Sequence, residues 1–488
     1  MQSTQPSASA PRIATRRMAA SLVAPGQAVL VLTLIWAVTT FTLRAWSAIS
    51  YPYQLDYGEG PLLDQALRLA HGENIYRPDL STAPFVLSNY PPLYVLLQAP
   101  LTLLVGPAFW YGRLLSLGGT LLAIGCAAAT LHHLTRDRLA ALISAGLLLA
   151  MPYVLHWAPL ARVDGLALGL SWAGLWLLVC HPTRRWSAPG AGGLLLAAIL
   201  TRQSYALAAP LTALVWRWHH EGRRRALGWL AGVLAAGGVV ALGLHLLTDG
   251  GIWRHTIGGN LNEFHLRTVG WMARSTAQQM PLVIIAALLY PTLGRQQPAW
   301  RLITPYLLGA TLSALTVGKI GSSVNYLLEL MVAMSLAAGA LVAELRHPRH
   351  RRWAALLAGA QIALLLVWFT TIYPWYHRIT PPPASAELLT AIVHTDGAVI
   401  IDDYMGLLPL AGKRIQFQPF ELTQLARSGG WDQRPFLDQI ERRAYAAIMI
   451  TQPPSVHIGW TPEMLAAIAR AYGPAERIGP VQVYRPRP

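Results

Sequence analysis

The chain has 488 residues, of which 54% are hydrophobic and 12% charged, and its formal net charge is +16. That apolar excess excludes an ordinary soluble domain, and the scatter of basic residues in short clusters between apolar runs argues against nucleic-acid binding. Two cysteines, Cys126 and Cys180, are too few for a disulfide framework or a thiolate metal cluster.

Residues 1–25 carry Arg12, Arg16 and Arg17 and read as a disordered cytoplasmic tail, with no cleavage pattern before the first apolar run. Apolar segments then predict about eleven transmembrane helices, near 27–47, 111–132, 139–157, 164–181, 190–202, 203–217, 226–247, 279–294, 300–317, 324–344 and 353–373. The clusters Arg136/Arg138, Arg184/Arg185, Arg217/Arg223/Arg224/Arg225, Arg295/Arg301 and Arg346/Arg349/Arg351/Arg352 all fall on one side, which the positive-inside tendency makes the cytoplasm. The stretch Pro91–Gly106 is apolar but short and holds three prolines, so it reads as an interfacial or re-entrant helix. Counting it as a span would turn later basic loops outward.

This organisation gives a polytopic α-helical module over 26–375, with long outer loops at 50–111 and 249–279. After Pro381–Pro383 the composition changes to that of a small extracytoplasmic α/β domain, 384–488. Ala398–Ile401, Ala446–Ile450 and Val481–Tyr484 read as strands, and Glu421–Ser428, Arg434–Arg443 and Pro462–Tyr472 as amphipathic helices. Asp402 and Asp403 follow a strand end, where ligands often bind, or they cap the next turn.

The polar residues of the outer side carry the functional argument. Asp56 and Glu59 sit in Gln54-Leu-Asp-Tyr-Gly-Glu-Gly60 just after the first span. A carboxylate there suits a general base for an acceptor hydroxyl, or a ligand to a divalent cation. Both could instead cap the helix that Pro61 opens. Arg113, Arg162, Arg202 and Lys319 share that face, and cations beside glycines at a bilayer surface suit a lipid-linked phosphate. Each alone could be a snorkelling interface residue, and Asp164 could be simply the partner of Arg162. Tyr90 lies in Tyr90-Pro-Pro-Leu-Tyr94. Glu263 and His265, in the polar 253–274 segment, are candidate substrate contacts, and two residues are not a metal site.

An outer acidic motif after the first span, a Pro-Pro-Leu segment, Arg113 opening the next span and the Arg162-x-Asp164 tip together resemble the GT-C superfamily of membrane glycosyltransferases. The likeness is to the protein O-mannosyltransferase and lipid A aminoarabinose transferase branch. Gly72-x-x-x-Tyr76 followed by Tyr90-Pro-Pro-Leu is also similar to actinobacterial polyprenyl-phosphomannose-dependent mannosyltransferases. The resemblance covers about 50–330. It implies a GT-C-like bundle, a polyprenyl-phosphate sugar donor, transfer on the outer membrane face and an essential first-loop aspartate at Asp56. Arg113, Arg162 and Asp164 match positions lining the donor cavity, and Lys319 fits a phosphate partner. Many relatives carry an adjacent acidic pair where this chain has Asp56-Tyr-Gly-Glu59.

The expected function is therefore a membrane glycosyltransferase, hexosyl or pentosyl and inverting, that passes a sugar to a hydroxyl of a glycan, lipid or protein. A lipid-linked sugar flippase and an oligosaccharide polymerase or ligase are the alternatives. No internal repeat favours the first, and the polar loops come too early in the chain for the second.

Overall fold

A computed structural model describes residues 23–372, 384–454 and 459–488. Most of the basic tail and Pro381–Pro383 lie outside the described residues.

Six helices are long and apolar enough to cross a membrane: Gly26–Ser50, Trp110–Thr135, Val163–Cys180, Arg223–Leu247, Val324–Glu344 and Pro348–Thr371. A seventh arises if Leu266–Gln279 and Pro281–Leu293, which meet at 104°, form one broken span. The remaining expected spans are helical but short. Arg138–Ala150 stops where Pro152 opens a new turn, and a 3-10 segment, Gln203–Ala206, separates Ser187–Thr201 from Ala208–Glu221. A 15-residue helix such as Trp300–Ala314 is only about 22 Å long against roughly 30 Å of hydrocarbon. Among the described residues six helices, or seven, thus reach full length, against about eleven spans expected.

The outside of the bundle is as apolar as its core. In Arg223–Leu247 only Ala226 is buried, while Val239 and Leu247 are fully outward-facing. A helix apolar all round belongs in lipid. Pro91–Gly106 contains the helix Leu93–Val105, 13 residues long, packed on Glu59–Ala70. Its inner edge is anchored by the buried Tyr94 hydroxyl, which donates to Gly112 O at 2.8 Å, and Leu103, Leu104 and Val105 face outward.

The C-terminal unit is a four-stranded sheet in the order β1-β2-β4-β3, with β1 at Val399–Ile401, β2 at Ala447–Thr451, β3 at Tyr472–Ile478 and β4 at Val481–Pro486. β1 and β2 run parallel and their continuous apolar residues are buried, as strands covered on both faces must be. The sequence does not announce β3. Its Gly473 and Pro474 look like breakers, but β3 is an edge strand with a register shift at Pro474/Glu476, where proline is tolerated.

The long loop that follows the first apolar helix is built into this unit. Phe85 pairs with the 416–418 backbone, donating to Gln416 O at 2.8 Å and accepting from Gln418 N at 3.1 Å. Its ring packs among Trp431 and Phe436. Asp64 and Arg68, both buried and 2.6 Å apart, clamp the Ile415 backbone: its N–H donates to Asp64 and its carbonyl accepts from Arg68. The loop therefore sets the position of the C-terminal unit against one end of the bundle.

Candidate active site

Three acids and three arginines near this end of the bundle resolve into three ion pairs. Asp56 pairs with Arg162 at 3.0 Å, Glu59 with Arg113 at 2.8 Å, and Asp164 with Arg202. They differ in exposure, and that difference sorts their roles.

The Glu59–Arg113 pair is completely buried on both sides. Arg113 forks onto both carboxylate oxygens, and its remaining donors reach the carbonyls of Ala48, Tyr51 and Tyr53. Glu59 also accepts from Leu55 N at 2.6 Å and Ala161 N at 2.7 Å. Every polar direction is filled, so this pair ties the end of the first span to the second and to the turn before the helix Val163–Cys180. Neither residue has a lone pair or donor left for a substrate, which corrects the expectation of a catalytic Glu59 and a phosphate-binding Arg113. Glu59 is no simple helix cap either, since its carboxylate reaches across three segments.

Asp164 and Arg202 are also committed. Asp164 accepts from Trp157 Nε1 at 2.7 Å and Asn325 Nδ2 at 3.1 Å, and the Arg202 guanidinium lies 4.4 Å from the centre of the Tyr326 ring. Both are buried and line no described cavity. Direct substrate contact by Asp164 and phosphate contact by Arg202 are therefore not what the geometry offers.

Asp56 is different. A quarter of its side chain is exposed, and burial pushes its carboxyl above the usual aspartate range, against the pull of Arg162. Arg162 lies between the rings of Trp157 and Tyr90, and its Nη2 donates to the Tyr90 hydroxyl at 3.1 Å. It reaches Asp56 only because residue 58 is glycine. A Cβ there would overlap the guanidinium itself.

Asp56, Trp157 and Arg162 line a cavity of about 490 Å³ whose opposite wall is the C-terminal unit, including Asp403, Phe420 and Thr451. A smaller cavity of about 100 Å³ shares Tyr57, Gly58, Arg162, Gly321 and Phe420 with it and extends to Tyr90, Asn262, Lys319 and Glu421. Among the four cations singled out from the sequence, Lys319 alone takes part in no ion pair among the described residues. The wall between the cavities is fixed by Tyr57, whose hydroxyl donates to Glu421 at 2.8 Å. Burial, reinforced by Glu421, holds that phenol well above its usual range. Gly321, with a φ of +82°, lies against the Phe420 ring where any Cβ would collide.

Glu263 and His265 lie outside both cavities. Their side chains are 71% and 48% exposed and 3.9 Å apart, and their backbone pairs with Gly318 and Ile320, which holds the Lys319 turn. The expectation of direct substrate contact is thus replaced by a bracing role. No group of three or more His, Cys, Asp or Glu is arranged to hold a metal ion among the described residues.

Neither a protein-family model nor a curated protein matches this sequence. Solved structures do match. ArnT from Cupriavidus metallidurans bound to undecaprenyl phosphate superposes over 92% of this chain and 97% of its own, with a TM-score of 0.63 at 14% identity. The Archaeoglobus fulgidus oligosaccharyltransferase in its apo form covers 92% of this chain and 73% of its own, with a TM-score of 0.57 at 13% identity. The arabinofuranosyltransferase AftD from Mycobacteria covers 93% of this chain and 40% of its own, with a TM-score of 0.51 at 16% identity.

The chain shares the fold of these three solved structures.

Within this fold the structure gathers Asp56, Tyr90, Arg162 and Lys319, all singled out from the sequence, at two adjoining cavities. Sequence reasoning had not singled out Tyr57, Phe420 and Glu421. Tyr57 is flanked by two conspicuous residues, but its partner lies 364 positions away, beyond any local pattern. Asp402 does more than cap the next turn: besides Asp403 N, its carboxylate accepts from Thr451 N, the Thr451 hydroxyl and Trp460 Nε1, which ties the ends of β1 and β2 together.

Proposed function

We propose that this protein is an integral-membrane glycosyltransferase that moves a sugar from a polyprenyl-phosphate donor to an acceptor hydroxyl on the outer face of the cytoplasmic membrane. The observation that carries the reading is the half-buried Asp56 opening onto a large cavity, with Arg162 beside it and Lys319 in the adjoining one. The fold adds support, since a GT-C neighbour is described with bound undecaprenyl phosphate and another with dolichol-phosphate.

In the proposed step the acceptor oxygen attacks the anomeric carbon while Asp56 takes the hydroxyl proton. The bond from that carbon to the phosphate oxygen breaks, and polyprenyl phosphate leaves with the electron pair, inverting the anomeric centre. Negative charge grows on the departing oxygen. Lys319 and Arg162 are the cations able to meet it, because Arg113 and Arg202 are already engaged. Arg162 then has two partners, and a phosphate that draws it away from Asp56 leaves a stronger base.

The test is incubation of purified protein with a panel of polyprenyl-phosphate sugars, following release of the lipid phosphate. Lys319→Ala is expected to weaken donor use by about 10- to 150-fold, the value of one charge-assisted contact. Arg224→Ala, on the opposite side of the bundle, is expected to leave transfer intact. Equal damage from both substitutions rules out the outer phosphate site. Wild-type protein that consumes no donor but carries one across liposomes is a flippase instead.

The outward placement of the C-terminal unit is tested separately. Cysteine at Arg477 is expected to react with a membrane-impermeant reagent in intact cells, and cysteine at Arg185 to stay protected. Both positions are exposed on the protein, so the reverse labelling pattern inverts the topology and removes the mechanism with it.

A further inference from the structure

The two cavities are charged differently. Among the described residues the larger one is bordered by Asp56, Asp402 and Asp403 and by a single cation, Arg162, which is already paired with Asp56. The smaller one holds Lys319. Asp402 is occupied within the C-terminal unit, where its carboxylate receives Thr451 and the Trp460 indole. Asp403 is not tucked away: its side chain is exposed on the C-terminal wall, and its backbone carbonyl is held by the Gln54 amide. Partial desolvation at the cavity and the neighbouring Asp402 push its carboxyl above the usual range. Phe420 presents a partly exposed ring on the same cavity, and Ser323 and Thr451 add hydroxyls. A cavity of about 490 Å³ falls within the usual size for small-molecule sites, about 300–1,000 Å³.

A carboxylate and an aromatic ring lining one cavity, with hydroxyls beside them, is chemistry for binding neutral polyhydroxyl compounds. A further negative charge there meets no free cation among the described residues. We propose that the larger cavity is the acceptor subsite, that it takes an uncharged glycan terminus, and that Asp403 is the residue that discriminates against anionic acceptors. This rests on the glycosyltransferase reading for the word acceptor, but the ligand chemistry of the cavity stands on its own. Asp403 accepts hydrogen bonds from sugar hydroxyls and repels a uronate or phosphate in the same position, so selection comes from a repulsive element as well as an attractive one.

The experiment uses the full-length protein in nanodiscs of phosphatidylcholine, whose surface carries no net charge. Binding of a neutral methyl disaccharide and of its uronic acid counterpart is measured by saturation-transfer NMR without donor. Lipid-phosphate release from polyprenyl-phosphate sugars is followed in parallel with each acceptor. The wild type is expected to favour the neutral compound by about 10-fold or more, and Asp403→Asn to shrink that preference to about 3-fold or less, mainly through better uronide binding. Glu476→Gln, an exposed carboxylate elsewhere on the C-terminal unit, is the control and should leave the ratio unchanged. Equal binding of both compounds by the wild type, no binding of either, or a preference indifferent to Asp403→Asn each overturns the inference, even where donor is consumed. A preference that follows Asp403 while no donor is consumed upholds the cavity's ligand chemistry and removes the glycosyltransferase reading.

Discussion

Asp56→Asn is expected to slow sugar transfer by about 100-fold or more while the protein still folds and still binds donor. The substitution keeps the shape of the side chain and removes the base. Folding should survive because the Asp56 side chain makes a single ion pair, with the partly exposed Arg162, and otherwise bonds locally, accepting from Gly58 N at 3.2 Å. The pH dependence gives a second, independent reading. Burial raises the carboxyl of Asp56 and Arg162 opposes that rise. The base works only when ionised, so turnover should fall as pH drops through this raised value, placing the acid limb above the ordinary aspartate range. Replacing Arg162 with Met removes the charge that favours the ionised form and should shift the limb further upward. Near-normal turnover by Asp56→Asn, or an acid limb that ignores Arg162→Met, defeats the assignment of the base.

Arg113→Ala is expected to cost about 3–5 kcal/mol of stability, because it leaves the Glu59 carboxylate buried and unpaired. The effect should appear as a lower melting temperature in detergent and poor membrane yield, with no selective change in donor use. Glu59→Gln should be nearly as harmful. The double variant Glu59→Gln/Arg113→Met should be less destabilised than the two singles added together, since no uncompensated charge remains. An Arg113→Ala protein that melts like the wild type yet loses donor affinity would return Arg113 to the phosphate site.

These two predictions separate residues that looked alike in the sequence. Asp56, Glu59 and Asp164, and Arg113, Arg162 and Arg202, were all legible as an outer cluster, because the side of each basic turn orders the loops. Their pairing was not. Which acid meets which arginine depends on how three helix ends converge, and on the absence of a side chain at Gly58, where only the three-dimensional clash reveals the requirement. The helical bundle and the C-terminal sheet were readable from apolar runs and a change of composition. The lengths of the short helices were not, since proline at 152 and the 3-10 turn at Gln203–Ala206 divide apolar stretches without altering their hydropathy. Least visible was the joining of 64–87 to 415–418, which rests on backbone pairing and two buried charges rather than on any sequence period.

That joining has a consequence for biogenesis. Tyr57 and its partner Glu421 are 364 residues apart, and Ile415 reaches Asp64 across 351. At the usual rate of chain elongation, about 5–20 residues per second, the ribosome needs on the order of 20 s or more to travel between them. During that interval Phe85 and the Asp64–Arg68 clamp lack the backbone they will hold. The segment that carries Asp56 is thus among the first to be made and among the last to become complete, since the cavity it borders cannot close before the late residues of its opposite wall have been synthesised.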